Sequence, residues 1–85
     1  MGKTILVVDD SASMRQVVSM ALKGGGFEVI EACDGKDALA KLMGQKVHLV
    51  ISDVNMPNMD GITFVREMKK NAAYRFVPVI MLTTE

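Results

Sequence analysis

Apolar residues fall along this chain in two alternating rhythms. Short, nearly unbroken runs in "TILVVDD", "FEVIEAC", "VHLVISDVN" and "VPVIMLTTE" read as strands. Between them, "SASMRQVVSMALKGGG" and "DGKDALAKLMGQ" repeat apolar positions at helical spacing, and in the first of these Met14, Val17, Val18, Ala21 and Leu22 form the stripe expected to face the core. After the turn stretch "MPNM" a third helix is expected, with Ile62, Val65 and Met68 on one face and Phe64 beside it. Met14 and Met68 both fit such core stripes. Ser11 or Ser13, Asp34 and Asp60 stand where N-caps belong. Gly24 to Gly26 and Gly44 stand where helices stop. The second run carries Glu28 and Glu31, which suits an edge strand.

Strand and helix alternate through to a fourth strand, which predicts an α/β fold built on a parallel sheet. With right-handed crossovers and both faces to cover, the chain steps one way after strand 1 and reverses after strand 2. The predicted sheet order is therefore 2-1-3-4, with helix 1 on one face and helices 2 and 3 on the other. Strands 1 and 3 become neighbours at the reversal, and ligands bind outside the carboxyl ends of such strands.

Composition narrows the partners. The chain has 85 residues, enough for one domain, and a domain of this size buries only roughly 60–65% of its unfolded surface. Ten basic and ten acidic residues cancel, which argues against nucleic acid or an anionic membrane as the main partner. The single cysteine, Cys33, has no internal disulfide partner and reads as a small core residue, so a reducing, cytoplasmic setting is expected. The N-terminal apolar run is too short for a signal peptide or a membrane span. His48, alone before strand 3, suits a solvated or capping role.

Both central strands end in acid, strand 1 in Asp9 and Asp10, strand 3 in Asp53. The topology carries all three carboxylates to one crevice, where they repel one another unless a cation or a shifted protonation state intervenes. Oxygen ligands without a His or Cys cluster favour Mg2+ over zinc.

At these residues the chain resembles a known family. "ILVVDDSASMRQVV", "VISDVNMPNMDG" and "VIMLTT" are similar, in the same order, to the receiver domain of two-component response regulators, the chemotaxis single-domain type included. The resemblance implies a partial flavodoxin-like fold and a signalling switch, not an enzyme. It implies that Asp53 accepts a phosphoryl group from a sensor histidine kinase with the help of Mg2+. Asp10 would bind Mg2+ directly, Asp9 largely through water, and Asn55 through its backbone carbonyl. Met56 and Pro57 would shape the following loop, Asp60 would cap helix 3 and Gly61 would ease its start. Thr83 would reach the phosphoryl group and couple it to conformational change, with the Thr84 amide as a further donor.

A complete receiver continues with helix 4, strand 5, helix 5 and a lysine that pairs with the phosphoryl group. Residues 1–85 are therefore expected to be the N-terminal portion of a receiver domain, with phosphorylation impaired by truncation; Lys69 and Lys70, late in helix 3, do not fit the missing lysine's place. The alternative is a truncated, self-associating half-domain with no signalling activity. A haloacid dehalogenase phosphatase would need a second Asp two residues beyond Asp53, where Asn55 stands. Strand 4 is expected at an edge with no charge between Val79 and Leu82, beside a sheet face that helix 1 alone must cover. A homodimer through that edge and face is expected, by two-fold pairing or by exchange of an element.

Overall fold

The computed structural model describes residues 2–82. The elements are β1 (Thr4–Val8), α1 (Ala12–Gly24), β2 (Glu28–Ala32), α2 (Gly35–Leu42), β3 (Leu49–Asp53), α3 (Gly61–Lys69), a single 3-10 turn (Ala72–Tyr74) and β4 (Val79–Leu82). All strand pairs are parallel and the sheet order is β2-β1-β3-β4, as the alternation predicts. β1 sits inside the sheet with Ile5 to Val8 all buried, which is why its apolar run is unbroken. β2 forms one edge, and its two glutamates lie there.

The helix ends follow their caps. The Ser11 hydroxyl accepts from the Met14 N–H, the Asp34 carboxylate from the Asp37 N–H and the Asp60 carboxylate from the Thr63 N–H. Each satisfies a backbone donor that the first helical turn leaves without a partner. α1 stops where the Gly25 N–H turns back to the carbonyls of Ala21 and Leu22, and Gly26 follows at φ +90°, a conformation that costs a residue without Cβ little. His48 takes the capping role: its Nδ1 accepts the Thr4 N–H at 3.0 Å, and its own N–H donates to the Thr4 carbonyl at 2.8 Å. The pair ties the starts of β1 and β3 together.

One face of the sheet holds the main core. Leu6, Val8, Ala32 and Val50 pack there against Ala38 and Leu42 of α2 and Phe64 and Met68 of α3, with Val47 and Tyr74 closing the end. The Tyr74 hydroxyl bridges the carbonyls of Leu42 and Gln45 at 2.6 and 2.9 Å, so its polar tip is satisfied inside the cluster. On the other face α1 packs over β2 and β1. Ile5 and Val7 are buried beneath it, whereas Leu49, Ile51 and Leu82 are half-buried and Ile80 is 48% exposed.

Three sequence expectations about burial are corrected. Met14 and Val17 do not face the core; they are 40% and 62% exposed, and Ala21 is exposed too. Val18 and Leu22 of the expected stripe do turn inward, joined by Arg15 and Ser19 in an equally regular i, i+3, i+4, i+7 set. Ile62 is 56% exposed, beside a groove of about 290 Å³ that it lines with Val65, Val79 and Met81. Cys33 lies exposed in the turn before α2, because the strand ends at Ala32 and the next backbone N–H is needed by Asp37.

Candidate functional site

The carboxyl ends of β1 and β3 lie side by side, with Val8 in register with Ser52. The next residue on each strand is an aspartate, and both side chains are almost fully buried. Asp10 follows in the exposed turn. One carboxylate oxygen from each of Asp9, Asp10 and Asp53 falls within 4.8 Å of the other two. At that separation like charges repel by about 1 to 4 kcal/mol per pair between bulk-water and protein-surface dielectrics.

Asp9 is held at every polar group. Its N–H donates to the Ala32 carbonyl at 3.1 Å, its Oδ1 accepts the Ser11 N–H at 2.8 Å, and its carbonyl accepts from Arg15 Nη1 at 2.6 Å. Burial pushes its carboxyl above the ordinary carboxylate range; the Ser11 N–H works against that shift, the charges of Asp53 and Asp10 add to it, and Arg15 opposes it. Asp53 accepts the Asn55 N–H on Oδ1 at 3.3 Å, and its carbonyl takes the Ser52 hydroxyl at 3.0 Å.

The loop beyond Asp53 is shaped by close contact. The Gly61 N–H donates to the Val54 carbonyl at 2.9 Å, and a Cβ at Gly61 would run into the Asp53 carbonyl oxygen. α3 can start this near to the strand end only because position 61 has no side chain. Asn58 takes φ +69°, which asparagine tolerates better than most residues. Its Nδ2 donates to Asp34 Oδ2 at 2.8 Å and so ties the loop to the cap of α2. The Asp34 carboxyl is held below its ordinary range, first by the Asp37 N–H and then by the Asn58 amide.

The donor set fits Mg2+: oxygen only, two buried carboxylates and one exposed, spaced so that a single small cation touches or nearly touches all three. Asp9, Asp10 and Asp53 are thus brought together as expected. Asn55 stands beside Asp53 but meets it through its N–H. Thr83 and Thr84 lie outside the described residues. Sequence reasoning passed over Arg15 and Asn58, and it gave Gly61 the lesser task of starting a helix. Asn58, directly after Pro57 in the turn stretch, was a signal for positive φ; Arg15, one turn beyond Ser11, carried none.

The family description "Response regulator receiver domain" matches residues 5–85. The chain is similar to Protein PilG of Pseudomonas aeruginosa, 38% identical over 84 residues, which are 99% of this chain and 62% of that one. In structure it is similar to the chemotaxis response regulator CheY4 of Vibrio cholerae, with a TM-score of 0.95 and 47% identity over 100% of this chain and 71% of that one. It is also similar to response regulator protein TrrA of Thermotoga maritima, solved in complex with Mg(2+)-BeF, with a TM-score of 0.88 and 34% identity over 98% of this chain and 70% of that one. The chain spans about three fifths of the PilG length.

Proposed function

Because this chain belongs to the response regulator receiver domain family of two-component signalling, we propose that Asp53 accepts a phosphoryl group from a sensor histidine kinase. The observation that carries this reading is the convergence of Asp9, Asp10 and Asp53 within 4.8 Å at two adjacent strand ends. A carboxylate of Asp53 attacks the phosphorus of a phosphohistidine; the new P–O bond forms as the P–N bond breaks, and the imidazole leaves with the electron pair. A carboxylate attacks through an oxygen lone pair and has no proton to give up in the step, so no general base is asked for. Bound Mg2+ supplies charge neutralisation for the transferring group. Asp10 and Asp53 would hold it directly, Asp9 largely through water, and Asn55 through its backbone carbonyl; the Mg(2+)-BeF complex of TrrA supports a Mg2+ site in this chain by similarity. Ser11 keeps the Asp9 carboxylate aimed, the Asn55 N–H orients Asp53, and Gly61 leaves room for the backbone behind it. Thr83 is the hydroxyl assigned to the phosphoryl group. The setting is cytoplasmic, the chain acts as a switch and not as an enzyme, and a balance of ten basic and ten acidic residues supports neither nucleic acid nor membrane as partner. Among the described residues no helix is long and apolar enough to cross a membrane.

The test is incubation with acetyl phosphate, with and without Mg2+, followed by mass spectrometry. A phosphate adduct that needs Mg2+ and vanishes in Asp53→Asn is the expected result. An adduct that survives in Asp53→Asn overturns the assignment.

A second reading, assembly as a homodimer, rests on a different observation. The outer edge of β4 has no strand beside it among the described residues, and Ile80 on that strand is 48% exposed beside half-buried Leu49, Ile51 and Leu82. Contact through β4 and this part of the face would bury them.

A further inference from the structure

Arg15 lies on α1 but spans three elements. Its Nη1 donates to the Asp9 carbonyl at the end of β1 at 2.6 Å, and its Nε donates to Glu31 Oε1 on β2 at 3.3 Å. The side chain is only 19% exposed, so the guanidinium is packed inward over the sheet and not trailing in solvent. The carbonyl it grips belongs to the peptide joining Asp9 to Asp10. That peptide is planar, so fixing its oxygen fixes the direction in which the chain leaves toward Asp10. Asp9 is held by other bonds as well, from Ala32 and Ser11. For Asp10, in the exposed turn, the plane of the preceding peptide is a main constraint.

We propose that Arg15, anchored by Glu31, is a positioning residue that sets the placement of Asp10 against Asp9 and Asp53 and thereby tunes the affinity of the site for a divalent cation. The inference rests on the reading of these three acids as a Mg2+ site. Two effects of Arg15 on a cation have opposite signs, which makes the role separable. As a positive charge near the carboxylates, Arg15 repels the cation. As a brace, it preorganises the ligands and favours the cation. Lysine keeps the charge but lacks the planar fork that reaches a carbonyl and a carboxylate at once. Loss of a partner that orients metal ligands weakens binding by about tenfold or more.

The experiment is calorimetric titration of the full chain with MgCl2 at constant ionic strength, well below the metal-free melting temperature, for wild type, Arg15→Lys, Arg15→Met and Glu31→Gln. Both Arg15 variants should bind about tenfold more weakly, and Glu31→Gln should lose affinity in the same direction by less. Electron paramagnetic resonance of bound Mn2+ should give a changed zero-field splitting in Arg15→Lys, a signature that a purely structural residue would not move. Tighter Mg2+ binding by Arg15→Met, or unchanged binding and an unchanged Mn2+ spectrum in Arg15→Lys, overturns the brace. Should Arg15→Met fail to fold, Arg15→Lys and Glu31→Gln decide the question by the same readouts. A wild type that binds no Mg2+ overturns the metal site itself, and the role of Arg15 with it.

Discussion

The two faces of the sheet are built from the same strands, yet they are finished differently. Toward α2 and α3, Leu6, Val8, Val50, Phe64 and Met68 are excluded from solvent almost completely. Toward α1, apolar side chains are fully buried only under the helix, at Ile5 and Val7, and their burial fades across Leu49 and Ile51 of β3 to β4, where Ile80 stands half in solvent. Alternation along parallel strands places one residue of each neighbouring pair on each side, so the strands could support two equal cores. The difference lies in the cover: two helices on one side, one helix over β2 and β1 on the other. The acids sit on the thinly covered side. Asp9 continues the line of Ile5 and Val7, and Asp53 that of Leu49 and Ile51. The well-packed face makes the platform rigid, while the open face leaves Asp10 in solvent and the mouth of the site reachable.

The largest expected effect breaks this contrast directly. Phe64→Ala empties the centre of the α2/α3 core and should cost about 3–5 kcal/mol, a large part of what a domain of this size possesses. Ile80→Ala, on the other face, should cost less than about 1 kcal/mol at protein concentrations too low for association. Urea denaturation followed by circular dichroism compares the two. Similar losses at both positions would mean that the two faces are equally covered in solution.

A second, smaller effect separates the faces by pH. α2 and α3 are capped by aspartates and α1 by a serine. The carboxyls of Asp34, Asp37 and Asp60 are each held below the ordinary 3.8, in every case first by a backbone N–H that the ionised group accepts. A lowered folded value means that these groups stabilise the fold above pH 3.8 and lose that contribution as pH falls through their lowered values. Asp9 has the opposite sign: its raised value means that ionisation is disfavoured in the fold, so the metal-free protein gains a little as acid protonates it. Stability without metal should therefore rise slightly on mild acidification and fall below about pH 4. The double variant Asp34→Asn with Asp60→Asn keeps cap acceptors but does not titrate there, and its acid limb should be shallower. An acid limb as steep as that of wild type would place the loss elsewhere.

These contrasts also mark how far the residues could be read before the fold was known. The strands, their order and three caps were legible because each is a local statement: an apolar run of four or five, or an oxygen-bearing side chain two or three residues before the N–H that it accepts. The acid cluster was legible because topology needs only the order of elements. The inner face of α1 was legible only in part: Val18 and Leu22 of the apolar stripe turn inward, whereas Met14, Val17 and Ala21 do not. Arg15, Val18, Ser19 and Leu22 form a second regular helical stripe, which hydrophobicity alone does not favour over the first. The sheet selects the second because Arg15 reaches the end of β1 and Ser19 is small enough to lie close on it. Cys33 failed for the same kind of reason, since its place is set by a bond from its N–H to Asp37 and not by its side chain. The tight fit of Gly61 against Asp53 is a contact between residues eight apart in a loop whose path no periodicity describes.

The smallest effect on folding is the one that decides what covers the open face. Ile80 is 48% exposed, so within a single chain Ile80→Lys buries no charge and should change the stability by no more than about 0.5 kcal/mol. If β4 meets a second copy, the same lysine is carried into an apolar contact against an equivalent lysine related by the two-fold axis. Two ammonium groups then face each other in a desolvated interface, and the pair should come apart while each chain stays folded. Sedimentation velocity at micromolar concentration reads the difference: wild type as a dimer, Ile80→Lys as a monomer with unaltered far-ultraviolet circular dichroism. Exchange of an element between chains responds differently, because the swapped segment restores contacts already made within one chain, and Ile80→Lys would leave such a dimer intact. A wild type that sediments as a folded monomer rules out both forms of pairing, and the half-covered face of β3 and β4 is then a surface that this chain keeps in water.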